Sequence, residues 1–193
     1  MDGFLESHVD FYKQLSLEGR AKFIHRLELF VEDKRFRPMN DFPLTEEHKW
    51  LLCSGAIMIT FGLNEYMLRG IREIWVYPSE FYLSQIGKFL KGGATKNKVM
   101  LSWNNLKAGF ADSEDALNLS IHEFAHAFEL NLQRESDSDR RFLAYADVLE
   151  DIKSDAFTIL TSSDENTLRA YARTNRNEFF AVSMEYFFER PMY

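Results

Sequence analysis

The chain has little that would staple, break or anchor it. Only one of its 193 residues, Cys53, is a cysteine. That excludes an internal disulfide and a cysteine-rich metal site. Its apolar surroundings suggest a buried, inert thiol. Four prolines and nine glycines provide little punctuation. There is no Gly/Ser linker, low-complexity tract or internal repeat. The longest uncharged stretch, Trp50 to Asn64, has 15 residues. A bilayer span takes about 20, so this stretch reads as a core helix and no membrane partner is expected. The N-terminus, Met1 to Glu6, has neither a basic region nor an apolar run. No signal peptide is therefore expected, and the cytoplasm is the expected location.

Basic charge is also scarce. Lys plus Arg is 23 against 30 for Asp plus Glu, a net charge of −7. Phosphate-binding faces are basic, which argues against nucleic acid as a main partner. The short clusters Lys34–Arg37 and Lys88 to Lys98 read as solvated loops. The length suits one domain, expected over residues 1–193 with a helical N-terminal lobe (1–65) and a core (66–193). Such a chain buries roughly 70% of its unfolded surface and needs no staples. Phenylalanine, by contrast, is abundant at 18 residues. It points to a large aromatic core.

Residues 17–32 place Phe23, Ile24, Leu27, Phe30 and Val31 at helical spacing behind a capping Ser16. The polar segment Asp33 to Pro43 is expected to be irregular. Thr45, followed by Glu46 and Glu47, opens a helix that runs to about Phe61, where Gly62 can end it. Ile71 to Tyr77 and Lys98 to Trp103 carry strand signals, with Gly92-Gly93 in the loop between them. Ser113 is expected to cap a long helix reaching about Gln133. The remainder, from Arg140, is helical in pattern. Helices, then strands, then helices predict an α+β fold.

Residues 122–126 read His122-Glu123-Phe124-Ala125-His126. Histidines four apart lie about 40° apart on a helix, one turn above the other. Both rings can therefore reach one Zn²⁺ at about 2.0–2.1 Å. The intervening glutamate does not reach the metal well, but it can reach the water that the metal activates and serve as general base. Leu117, Ile121, Phe124 and Phe128 form an apolar stripe facing the core, and Asn118, His122, His126 and Glu129 form the neighbouring stripe facing a cleft. The alternative is two surface histidines with an incidental glutamate. His8, His25 and His48 read as surface or packing residues.

A catalytic zinc takes three protein ligands and keeps a fourth position open. No histidine follows His126, so the third ligand should be a downstream carboxylate. The candidates include Glu150, Asp151, Asp155, Glu165, Glu178 and Glu185. Glu178 and Glu185 sit seven apart on one face of an aromatic helix, where an unpaired carboxylate is costly. Glu178 could instead cap that helix from three residues after Asn175, and Glu185 could be a carboxylate at the cleft edge or behind a ligand. The residues alone leave both open.

The segments LSWNNLKAGF, HEFAHAFE and NEFFAVSMEYFFERP resemble the Mlc titration factor A family of zinc-dependent peptidases over roughly residues 17 to 191. YARTNRNEFFA together with HEFAHAFE is also similar to the catalytic domain of anthrax lethal factor. The resemblance implies a zincin-like α+β fold with a gluzincin-type site, and peptide or protein substrates. It places the third zinc ligand on Glu178, beside His122 and His126, with Glu123 as general base. It places on Tyr171 a hydroxyl that assists the tetrahedral intermediate. The family usually has aspartate where Glu129 stands. It also implies an extended substrate pairing with the edge strand before the active helix, taken as Lys98–Trp103. The family's name implies a second role, sequestering a transcriptional repressor.

Overall fold

The computed structural model describes residues 1–132, 140–162 and 168–190. In chain order the helices and strands are α1 (Asp2–His8), α2 (Asp10–Lys13), α3 (Leu17–Asp33), β1 (Arg35–Pro38), α4 (Glu46–Thr60), β2 (Glu73–Tyr77), β3 (Phe81–Leu83), β4 (Lys88–Leu90), β5 (Gly92–Ala94), β6 (Lys98–Ser102), α5 (Trp103–Ala111), α6 (Leu119–Leu132), α7 (Arg140–Ser162) and α8 (Arg176–Glu189). A 3₁₀ turn, Ala170–Arg173, precedes α8. The arrangement is α+β, as expected. Four strands form a mixed sheet in the order β1-β2-β6-β5. β1, β2 and β6 run parallel, while β5 is antiparallel to β6. β3 and β4 make a separate hairpin. No helix among the described residues is long and apolar enough to cross a membrane.

The caps of α3 and α4 form as the sequence suggests. The Ser16 hydroxyl accepts the Gly19 N–H. The Thr45 hydroxyl accepts the His48 N–H, and the His48 ring accepts the Thr45 N–H in return. Both satisfy otherwise unpaired first-turn donors. Leu51 to Thr60 of α4 is buried throughout and packs against α3 and α6. Gly55 permits this close approach. A Cβ there would lie 2.7 Å from the Ser120 backbone. Instead the Gly55 N–H donates to the Ser120 hydroxyl (3.2 Å), which donates to the Leu52 carbonyl (2.9 Å). Phe30 of α3 meets Phe124 of α6 edge-on at 5.9 Å. Phe11 bridges Phe61 and Phe188 at 5.4 and 5.3 Å. The phenylalanines thus join the N-terminal helices to α8.

Four local expectations are corrected. Arg35–Pro38 is a strand, not an irregular segment. It lies at the sheet edge, where exposed polar residues and a terminal proline are tolerated, and Arg35 and Arg37 lie 3.4 and 3.7 Å from the Glu73 carboxylate. Gly92 and Gly93 belong to β5, the opposite edge, rather than to a loop. Helix α6 starts at Leu119, not Ser113. Asp112, Asp115 and Asn118 each accept the N–H two residues on, and these side-chain turns compete with helix. Ser113 instead bonds Asp10, and Leu117 lies outside the helix, 52% exposed. Finally, α5 begins at Trp103, where strand was expected.

Near the C-terminal end of α8, Glu189 accepts a hydrogen bond from the Asn118 amide at 2.9 Å. Burial, reinforced by the charges of Asp115 and Glu185, pushes its carboxyl up to about 8 despite that bond. A free glutamate ionises near 4.5. Between these values the folded state holds a proton that the unfolded state has lost, so this group's contribution to stability falls as pH rises through that window. Glu189→Gln stays neutral. It should raise the melting temperature at about pH 9 and change it little at about pH 4. Melts of both proteins across that range check this, and an unchanged pH slope would contradict it.

Candidate metal centre

α6 presents His122 and His126 on one face, as their spacing requires. Its apolar stripe, Ile121, Phe124 and Phe128, is buried in the core. The Asn118 side chain caps the helix, accepting the N–H groups of Ser120 (3.1 Å) and Ile121 (3.2 Å). α8 crosses this face and is capped by Asn175, whose side chain accepts the N–H groups of Asn177 and Glu178. The cap leaves the Glu178 carboxylate free to turn toward the histidines.

Three atoms converge there. Glu178 Oε2 lies 3.2 Å from His122 Nε2 and 3.4 Å from His126 Nε2. The two ring nitrogens are 3.2 Å apart. Zinc bonded tetrahedrally at about 2.0–2.1 Å separates its ligand atoms by about 3.3–3.4 Å, the edge of that tetrahedron. The observed triangle has nearly that edge. Glu178 Oε2 is buried without a hydrogen-bond partner, which suits an atom directed at a cation. The donor set, two imidazoles and one carboxylate, fits zinc.

The electrostatics favour a cation. Burial disfavours the charged ring of His122, yet Glu178 and Glu185 outweigh it and hold its pKa at about 9. For His126, Glu129 and Glu178 overcome burial and hold it at about 10. Burial alone would raise the Glu178 carboxyl, but the two histidines hold it well below the usual carboxylate range. Burial pushes Glu123 up to about 7 despite the same histidines.

Glu123, 6% exposed, lies against β5. A Cβ on Gly92 would stand 2.6–2.8 Å from its side chain, so only glycine leaves room for the carboxylate. The cleft measures about 430 Å³, and His122, Glu123, His126 and Glu178 line it together with Leu90 and Tyr171. Tyr171, on the 3₁₀ turn, is 51% exposed, and its ring lies 6.0 Å from that of His122. Burial and the nearby charge of Glu178 raise its pKa.

The other candidates fall elsewhere. Glu150, Asp151 and Asp155 are exposed on α7, and Glu165 lies outside the described residues. Glu185, 2% exposed, sits behind His122, with Oε2 3.1 Å from Nδ1. Glu129 sits behind His126, with Oε2 3.7 Å from Nδ1. His8 stacks on Phe4, His25 is exposed and His48 caps α4. β6 is interior. The strand edge beside the cleft is β5, which corrects the assignment to Lys98–Trp103. Thr95 N–H bonds the Lys98 carbonyl and Ser102 N–H bonds the Lys91 carbonyl. By antiparallel alternation, the backbone polar groups of Gly92 and Ala94 point away from β6. Lys153 and Arg169, which contact Glu129 and Glu185, give no motif or spacing signal in the sequence.

The whole chain, residues 1–193, matches the model of a family described as glucose-regulated metallo-peptidase M90. An uncharacterised protein of Synechocystis sp. is 27% identical over 208 residues, covering 96% of this chain and 74% of its own. The Mlc titration factor A of Cronobacter sakazakii is 26% identical over 199 residues, and that of Escherichia coli O7:K1 is 25% identical over 197. Each of these two alignments covers 92% of this chain and 73% of the relative.

Proposed function

The chain belongs to the glucose-regulated metallo-peptidase M90 family, and from that premise we propose that it is a zinc-dependent peptidase with a zincin-like fold. We read residues 1–193 as one peptidase domain, in which β1 of the N-terminal part completes the sheet of the core. The observation that carries the proposal is the convergence of His122 Nε2, His126 Nε2 and Glu178 Oε2 on one point beside the buried Glu123.

His122, His126 and Glu178 would hold the zinc. When bound, the metal supplies Lewis-acid polarisation of a scissile carbonyl and lowers the pKa of water to about 7. The residues do the rest. The open edge of β5 offers the N–H and C=O groups of Gly92 and Ala94 to an extended peptide, which adds to the sheet as another strand. Glu123 takes the proton of the attacking water and passes it to the leaving amine. Gly92 leaves the space in which that carboxylate works. Tyr171 donates a hydrogen bond to the oxygen that becomes negative as the carbonyl is attacked.

The test is hydrolysis of unfolded protein or peptide mixtures by the purified chain. It should stop on treatment with a strong zinc chelator and return with added zinc. Zinc-loaded protein that cleaves no peptide in such a mixture would contradict the proposal. Tyr171→Phe keeps the ring and removes the donor. Losing one oxyanion donor typically costs about 10²–10³-fold. At this half-exposed site the expected loss is at least about tenfold in kcat, with KM less affected, zinc content unchanged and melting temperature unchanged. A wild-type rate would remove the hydroxyl from the mechanism.

The name shared by several relatives, Mlc titration factor A, favours a second role, sequestering a transcriptional repressor. Glu123 favours catalysis, since a metal that only holds structure needs no base. A Glu123→Gln variant that still binds such a repressor would separate the two roles.

A further inference from the structure

Behind each proposed histidine ligand lies a carboxylate that a basic side chain holds. Behind His122, the Nδ1 nitrogen faces Glu185 Oε2 at 3.1 Å. The Arg169 guanidinium bonds that same oxygen, and its other arm bonds the Ala116 carbonyl. Ala116 has a left-handed backbone, φ 55°, in the turn that leads into α6. Behind His126, Nδ1 faces Glu129 Oε2 at 3.7 Å. Glu129 Oε1 is held by Lys153 Nζ at 2.6 Å, and Lys153 also reaches Glu150 at 2.7 Å. Lys153 is a lysine only 5% exposed, and burying an ammonium is expensive unless it is paired, as it is here by Glu129 and Glu150.

We propose that Arg169 and Lys153 are positioning residues that set the metal affinity of this site by pinning Glu185 and Glu129 in place behind the two histidines. This rests on the reading of His122, His126 and Glu178 as metal ligands. Four carboxylates crowd the site: Glu123, Glu129, Glu178 and Glu185. Glu185, pinned by Arg169, sits at hydrogen-bond distance from His122 Nδ1, and Glu129, pinned by Lys153, faces His126 Nδ1 across a longer gap; a carboxylate held on the Nδ1 side favours the tautomer that leaves the Nε2 lone pair facing the metal position. The two arms differ. Arg169 acts across a hydrogen bond, whereas Lys153 acts across the longer Glu129–His126 separation, so Arg169 carries the larger effect. Arg169 also precedes the turn that bears Tyr171, tying that hydroxyl to the same framework.

The experiment measures zinc and cobalt(II) affinity of the full chain by chelator competition, together with the visible spectrum of the cobalt form. The variants are Arg169→Gln, Lys153→Met, Glu185→Gln, Glu129→Gln and the doubles Arg169→Gln/Glu185→Gln and Lys153→Met/Glu129→Gln. Losing an outer partner of a metal ligand typically weakens binding about 10–100-fold. Each cation variant should fall in that range, Arg169→Gln lower than Lys153→Met, with an altered cobalt spectrum. Each double should bind no more weakly than its Glu→Gln single, because the cation acts through the glutamate. Should Lys153→Met fail to fold with Glu129 left unpaired, the double compared with Glu129→Gln still decides. Equal affinity agrees, and a further drop overturns the proposal. Wild-type affinity in the cation variants, or losses that add in the doubles, also overturns it while the metal centre stands. A wild-type chain that binds neither ion brings down the metal reading as well.

Discussion

Glu123→Gln is expected to keep its metal and lose hydrolysis. The carboxylate is not among the three converging donors, since it lies one residue around the helix from His122 and faces β5 rather than Glu178. Metal content should therefore be that of the wild type. The amide is nearly isosteric and fits the same gap beside Gly92, so folding should also be preserved. It cannot, however, accept the proton of an attacking water. Loss of a general base lowers rates by about 10²–10⁴-fold. Steady-state kinetics on a peptide substrate, with metal analysis on the same sample, checks this. A Gln variant with the wild-type rate would assign the activity to another group or to a contaminating protease.

The second large effect concerns the third donor. Glu178→Ala leaves two ring nitrogens 3.2 Å apart and no carboxylate between them, fewer ligands than a catalytic zinc takes. Removing a direct ligand should weaken binding more than removing a partner behind one, hence by more than about 100-fold. Glu185→Ala should still hold zinc when protein and metal are both micromolar, because Glu185 only backs His122. The Asn175 cap and the high helix propensity of alanine keep α8 folded in Glu178→Ala. Chelator competition on the pair of variants separates the roles. Zinc retained without Glu178 and lost without Glu185 would mean that α8 is rotated about its axis from the observed arrangement.

How far these residues could be read from the sequence depended on how far apart they sit. His122, Glu123 and His126 are legible because helical periodicity carries all three on one turn, and the buried stripe of Ile121, Phe124 and Phe128 fixes which way that turn faces. Glu178 is harder, for it lies 52 residues after His126. Its aromatic surroundings narrowed the choice mainly to Glu178 and Glu185 with Glu178 ahead, and the resemblance placed the ligand on Glu178. Lys153 and Arg169 were illegible, since a cation chosen by a tertiary contact looks like any surface lysine or arginine. Both sheet edges were missed for a related reason. An edge strand needs no apolar alternation, so Arg35–Pro38 and Gly92–Ala94 look like loops, although β5 is the strand that borders the cleft. The start of α6 was displaced because acidic residues at a helix N-terminus and side-chain turns before it use the same residue types. Asp112, Asp115 and Asn118 made turns.

The most direct test of the metal centre is zinc per chain. The protein is stripped of metal, reconstituted with zinc near neutral pH, freed of excess and analysed alongside a His122→Ala/His126→Ala double variant. The geometry predicts about one tightly bound zinc per wild-type chain and none in the double variant. A folded wild-type chain that retains no zinc, or a double variant that retains as much as the wild type, would contradict the assignment of His122, His126 and Glu178 as its ligands.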